Sequence, residues 1–166
     1  TTKTHDSVGN VLNVVSPSGL RQTTIYDQLN RAIARLAPTG GRSTTMFDAG
    51  GRPVTQVDVF GNRATQTYDK LDRVVQIKDS ENRISTFIFD SRGQSVARIN
   101  AAGQRFSTVF DATGRQVATV NAAGDRTTTV YDSNGFATVT VNSKGIRHSH
   151  VYDSVGHLIA ELSPKG

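Results

Sequence analysis

Cysteine and tryptophan are absent from this chain of 166 residues, and methionine occurs once. Without cysteine there is no disulfide, no thiolate metal site and no cysteine nucleophile. The compartment stays open, because a sheet held by backbone pairing needs no bridges. No apolar run approaches membrane-spanning length and no signal peptide is visible, so membrane insertion is not expected. Hydrophobic residues reach only 36%, which argues against a thick globular core and for a sheet with one modestly apolar face. Acidic residues are outnumbered by basic ones, giving a net charge of +5. That charge comes from arginines at fixed phases, not from a cluster, which disfavours nucleic acid as a partner.

What is present is a repeat. An aromatic followed by Asp recurs as Tyr26-Asp27, Phe47-Asp48, Tyr68-Asp69, Phe89-Asp90, Phe110-Asp111, Tyr131-Asp132 and Tyr152-Asp153, with His5-Asp6 in the same phase. Successive Asp residues lie 21 positions apart without insertion or deletion. A fixed period of this size means stacked structural repeats. The expected organisation is a single array of about eight repeats over residues 1–166, and the chain stops two residues short of eight whole periods. Terminal repeats normally carry polar caps. None is visible, so a fragment of a longer chain is expected.

Each period reads as two turns separating two short runs rich in Val and Thr, a β-meander with two strands per repeat. Three residues after each Asp stand Gly9, Asn30, Gly51, Asp72, Gly93, Gly114, Gly135 and Gly156, the residue types that tolerate positive φ. The Asp is expected to accept hydrogen bonds from the backbone N–H groups ahead of it and so cap the reversal. A second turn carries Gly19, Gly40, Gly61, Asn82, Gly103, Gly124, Gly145 and Gly166, with Pro17, Pro38 and Pro164 two places earlier. The remaining proline, Pro53, falls at the first residue of a strand, a tolerated position.

The strand leaving the first turn has two apolar phases. Leu12, Ile33, Val54, Val75, Val96, Val117 and Ile159 hold one, and Val15, Leu36, Val57, Ile99, Val120, Val141 and Leu162 hold the other, three residues on. The parity is wrong for strict alternation, so either a bulge separates them or both faces are partly covered. The return strand alternates: Ile25, Met46, Ile88, Val109, Val130 and Val151 share a face with a Thr/Ser series, and the aromatics face the other way. Equivalent residues stand two strands apart, roughly 9.6 Å, so each aromatic must pack against the intervening strand. A single flat layer buries too little to be stable, so the array is expected to be a coiled or spiralling antiparallel sheet.

The pattern Tyr/Phe-Asp-x-x-Gly-Arg, a short strand, a Gly turn and a Thr-rich strand resembles the Rhs/YD-repeat family. It is best met by Phe110-Asp111-Ala112-Thr113-Gly114-Arg115 and by Gly124-Asp125-Arg126-Thr127-Thr128-Thr129-Val130-Tyr131-Asp132, and the likeness covers essentially the whole chain. Local departures are His5 for the aromatic and Asn10, Gln94, Phe136 and His157 for the Arg after the turn. The resemblance implies β-hairpins strung into a spiralling sheet. In bacterial toxin complexes, Rhs effectors and teneurins that sheet closes into a hollow shell, which in the bacterial cases encloses a toxic C-terminal domain. No Asp-Pro-x-Gly motif of the kind that accompanies self-cleavage is present, so no protease activity carries over.

Several polar groups are of residue types that carry chemistry. The recurring Asp residues suit turn capping better than catalysis, since catalytic pairs do not recur in every repeat, and each turn offers too few converging oxygens for a calcium loop. His148 and His150 lie two apart on one strand, with His157 beyond the next turn, a loose pattern for a transition metal. Ser149 lacks a nucleophile turn and an acid partner. Arg31, Arg52, Arg73 and Arg115 follow the first turn, and Arg21, Arg42, Arg63, Arg105, Arg126 and Arg147 follow the second; both rows are expected to pair with turn Asp residues as solvated edges.

The function expected is a non-enzymatic structural segment of a large secreted or cell-surface protein, without cofactor or metal. Its partners would be neighbouring repeats of the same parent chain. A self-assembling extracellular filament, a homo-oligomer or polymer of identical ribbons, is the first alternative. An adhesion module binding carbohydrate through the polar and Arg rows is the second.

Overall fold

Short runs of β-branched and hydroxyl residues, each too brief for anything but a strand, form every element of the computed structural model. It describes residues 1–163; Pro164 and Gly166, both assigned to the second turn, lie outside the described residues. The protein is all-β: among the described residues there are sixteen strands and no helix.

The chain divides into two units. The first, Thr1–Ile84, holds β1 (Thr2–His5), β2 (Val11–Val15), β3 (Arg21–Tyr26), β4 (Ala32–Leu36), β5 (Arg42–Phe47), β6 (Pro53–Val57), β7 (Arg63–Tyr68) and β8 (Val74–Lys78). The second begins at Ser85. It takes in β9 (Ile84–Phe89) but for its first residue, then β10 (Ser95–Ile99), β11 (Arg105–Phe110), β12 (Gln116–Val120), β13 (Arg126–Tyr131), β14 (Ala137–Val141), β15 (Arg147–Tyr152) and β16 (Leu158–Leu162). Within each unit every strand pairs antiparallel with the next. This is the hairpin array that the 21-residue period predicts.

The parity conflict in the outgoing strand resolves as a bulge. In the β3–β4 pair Ile25 opposes Ala34 but Tyr26 opposes Ala32, leaving Ile33 as the extra residue. The same slip leaves out Leu12, Val54, Val75, Val96, Val117, Thr138 and Ile159. One bulge therefore recurs in every repeat, on the first of the two apolar phases. A bulge bends its strand and re-aims the neighbouring side chains, here at the end of the strand where the aromatic sits.

Cross-strand pairs define the faces. Ala34 opposes Ile25 on one side and Thr44 on the other, and Leu36 opposes Thr23 and Arg42. The Ile25 and Thr23 series thus share a face with the second-turn arginines. Tyr26 and its equivalents, one residue on, stand on the other face. Burial is deepest at the third residue of the outgoing strand, at Ala34, Thr55, Ala97, Ala118 and Val139. Small side chains there are roofed by the larger ones opposite them; Ala118, between Val109 and Thr128, is 1% exposed. The roofing residues stay open on their outer side, Met46 at 51% and Val130 at 47% exposure. Each unit therefore has a core one side chain deep. No helix of the described residues is long and apolar enough to cross a membrane.

Candidate functional site

The candidate site is the row of first turns, where each repeat meets the next. Asp111 shows the geometry. Its N–H donates to the Arg115 carbonyl at 2.9 Å, and the Gly114 N–H donates to the Asp111 carbonyl at 3.1 Å. Carboxylate Oδ1 of Asp111 accepts the N–H groups of Thr113 and Arg115, both at 2.9 Å. This is a three-residue hairpin loop, a type I turn closed by a residue at positive φ, here Gly114 at +89°. The same carboxylate bonds recur at Asp6, Asp27, Asp69, Asp90, Asp132 and Asp153, and Asp48 accepts the Arg52 N–H. Where Gly is missing, Asn30 and Asp72 adopt φ of 59° and 61°.

The second turns use the same loop, with a capping residue that the sequence reading did not single out. Asp58, Asp79, Asn100, Asn121 and Asn142 each accept two backbone N–H groups on one side-chain oxygen. Ser16 accepts one, and Ala37 breaks the series. The signal was present as a column of Asp, Asn and Ser three places before the second-turn Gly. Pro17 and Pro38 follow Ser16 and Ala37 at the second position of the turn, where a fixed φ fits.

The first-turn arginines do more than balance charge. In Arg31, Arg52, Arg73 and Arg115 the Nε donates to Oδ2 of the turn Asp four residues earlier, at 2.7, 2.7, 2.7 and 2.8 Å. Held there, the guanidinium lies over the aromatic of the following repeat: Arg31 over Phe47 at 4.5 Å, Arg52 over Tyr68 at 4.7 Å, Arg115 over Tyr131 at 4.8 Å. A cation over a ring face is attracted by the ring quadrupole. The ring is pinned from its far end, since the hydroxyls of Tyr68 and Tyr131 donate to the Pro53 and Gln116 carbonyls at 2.8 Å. Those of Tyr26 and Tyr152 reach Val11 and Ala137 at 3.2 Å. Each tyrosine hydroxyl thus reaches the first residue of the preceding strand. Phe89 and Phe110 occupy the same phase, half-buried.

Where the arginine is replaced, other chemistry reaches in the same direction. Asn10 donates to Asn30 at 2.9 Å, and Gln94 donates to the Gly114 carbonyl at 3.1 Å. Phe136 stacks on Tyr152 with ring centroids 5.2 Å apart. A Cβ added at Gly156 would stand 2.6 Å from the Phe136 ring, so glycine there serves both positive φ and this close approach. The ladder is a reach from one turn into the next, and charge is one way to make it.

These contacts set the electrostatics. The Arg52 and Arg73 guanidiniums hold Asp48 and Asp69 below the ordinary carboxylate range, and the Arg31 N–H and guanidinium do so for Asp27. Asp111 is held well below it by the Thr113 hydroxyl and then by Arg115. In these four turns Oδ1 holds backbone N–H groups and Oδ2 holds an arginine, so the carboxylate has little left to offer calcium or a proton in transit. The histidines do not converge. His150 faces Glu161 at 3.8 Å, His148 approaches Ser163, and His157 pairs with Asp153. Among the described residues no group of three or more His, Cys, Asp or Glu could hold a metal ion.

The expected pairing of both Arg rows with turn Asp residues needs correction. It holds for the first-turn row alone. Arg21, Arg42, Arg63, Arg105, Arg126 and Arg147 are all exposed, and the ion pairs of the described residues include none of them. They start the return strand on the opposite face from the aromatics, out of reach of the first-turn carboxylates.

No family model matches the chain, and no curated protein matches it in sequence. In three dimensions it is similar to solved toxin-complex structures. A TcdB2-TccC3-Cdc42 crystal structure matches over 96% of this chain with a TM-score of 0.68 at 16% identity. TcdB2-TccC3 without its hypervariable C-terminal region gives 0.67 at 16% over the same share, and TcdB2-TccC3 itself gives 0.57 at 16%. The match takes in 10%, 10% and 12% of those chains, so this chain spans about a tenth of their length. The fold is a β-hairpin repeat array of the kind those toxin-complex chains contain.

Two outcomes are expected from this geometry. Because the fold lowers the Asp values, their pairing stabilises fully above the unfolded value near 3.9 and is lost as pH falls through the folded values. Changing Asp27, Asp48, Asp69 and Asp111 together to Asn keeps an acceptor for the turn but removes the titration. Thermal melts followed by circular dichroism should show a lower Tm than the parent at pH 7 and a smaller loss between about pH 4 and 2; parallel curves would contradict the assignment. For the ladder, Phe136→Ala should cost about 1 kcal/mol or more, whereas Phe136→Arg, which can pair with Asp132 and stack on Tyr152, should stay near the parent in a denaturant titration.

Proposed function

We propose that this chain is a non-enzymatic wall segment of a large Rhs/YD-repeat protein, one continuous array whose function is to continue a sheet. The observation that carries this reading is the ladder of first turns within each unit, in a fold shared over 96% of the chain with TcdB2-TccC3 structures roughly ten times as long. Engagement of the turn carboxylates supports it, because the regular acidic residues are spent on geometry. The shallow core supports it too: aliphatics such as Met46 and Val130 stay half-open on one face and would be covered in a larger assembly. On this reading the parent protein is secreted or displayed at a cell surface. The chain's partners are neighbouring repeats, and the sheet coils into an encapsulating shell.

Negative-stain imaging of the full-length parent protein, with light scattering for its mass, tests this directly. A discrete hollow particle is the expected result. Long fibres would replace the wall reading with a filament, and a slim monomer would exclude both.

A further inference from the structure

One step of the first-turn ladder is built differently from its neighbours. At Arg31, Arg52 and Arg115 the guanidinium covers the ring of the next repeat. The step from Gln94 to Phe110 lies wholly within the second unit, and there the residue after the turn is neutral and shorter. No cation of the described residues lies over the Phe110 ring. Beside it opens a hollow of about 360 Å³, lined among others by Asp90, Arg92, Gln94, Phe110, Asp111 and Ala112. We propose that this hollow binds an alkylguanidinium group from outside the chain, the head of an arginine side chain or of free arginine.

Such a site would repeat chemistry that the chain uses on itself. At three steps a guanidinium stands 4.5, 4.7 and 4.8 Å from a ring centroid, where the ring quadrupole attracts it. Gln94 makes the backbone reach of an arginine but brings no charge to the ring. Its Nε2 donates to the Gly114 carbonyl at 3.1 Å and lies 3.3 Å from where a Cβ on Gly114 would stand. Arg31 Nη1 lies 3.5 Å from the same point at Gly51. The other end of the amide is unserved: Gln94 Oε1 is out of contact with solvent and accepts no hydrogen bond among the described residues. A buried acceptor left unpaired is costly. A guanidinium offers five N–H donors in one plane, enough to serve this oxygen while lying on Phe110. Binding requires Gln94 to turn Oε1 toward the hollow, which makes its side-chain amide the natural reporter.

Charge favours a cation here. Two carboxylates, those of Asp90 and Asp111, face one cation, Arg92. Arg92 Nη1 donates to the Asp111 and Ala112 carbonyls at 3.4 and 2.7 Å, so its charge is directed to the backbone of the next turn. An ammonium suits the place less well, being compact and strongly hydrated where a guanidinium is planar and weakly hydrated. The volume lies at the small end of ligand sites, which run from about 300 Å³ upward. This inference does not depend on the wall reading, because both turns and the ring belong to one unit of this chain.

NMR titration of the isotope-labelled whole chain with N-acetyl-arginine amide tests the site. Free arginine, N-acetyl-lysine amide and N-acetyl-citrulline amide, which keeps the shape of arginine without its charge, run beside it. The arginine compound should shift the Gln94 side-chain amide and the Phe110 and Gly114 backbone amides saturably, in the millimolar range. The amides of Tyr68 and Tyr131, whose rings are already covered, should stay in place. The citrulline and lysine compounds should bind at least about tenfold more weakly. Gln94→Arg, which installs the residue of the neighbouring steps, should keep the circular dichroism spectrum and lose the saturable shift, because its own guanidinium fills the hollow. Should that variant fold poorly, the citrulline comparison on the parent decides alone. Tighter binding of free arginine than of the blocked compound would identify the amino acid as the ligand, and the reverse a partner's side chain; either supports the site. No saturable shift in the parent, equal binding of the citrulline compound, or undiminished binding by a folded Gln94→Arg chain would overturn the proposal.

Discussion

Most of this fold depends on one side-chain oxygen accepting two backbone N–H groups at nearly every reversal of the chain. A tight hairpin loop leaves donors that no strand can satisfy, and a buried or half-buried donor without a partner is costly. Asp111 supplies the acceptor from within the loop itself, and Asn121 does the same ten residues on. Once both turns of a repeat are closed by the same device, strand length, register and bulge can recur at a fixed interval. The repeat is a unit of turn chemistry first and of hydrophobic packing second.

The carboxylate at the first turn adds a consequence that an amide cannot. Its second oxygen holds the arginine at the end of the loop, and the arginine, so oriented, covers the ring of the next repeat. Turn formation and coupling between neighbours are thus linked through one residue. The second turns, capped mostly by Asn or by Asp paired locally, lack that ring contact, which leaves their exposed arginine row to face solvent. The two edges therefore have different physical tasks, one inward-looking and structural, the other open.

Much of this was legible in the sequence, and the failures have definite causes. The turns were readable because positive φ admits few residue types, and Asn30, Asp72 and Asn82 obey the restriction as well as the glycines do. The bulge showed only as a parity conflict between Leu12 and Val15, because a period-two pattern looks the same for a bulge and for a strand covered on both sides. Ala34, Ala97 and Ala118 were not recognised as the most buried positions. Small residues carry little hydrophobic signal, and their burial comes from neighbours across the sheet. The second-turn caps were visible as a column of Asp and Asn but were overshadowed by the aromatic-Asp pair. The arginine rows could not be separated by charge; only the ring positions distinguish them.

Hydrogen exchange measured by NMR on single amides tests the central claim most directly. If the Asp111 carboxylate closes its loop, the Thr113 and Arg115 N–H groups exchange as slowly as strand amides of β12, while the Ala112 N–H, which the loop leaves open, exchanges fast. Rapid exchange at Thr113 and Arg115 with β12 still protected would mean that the strands hold the turn, not the turn the strands, and would contradict the account.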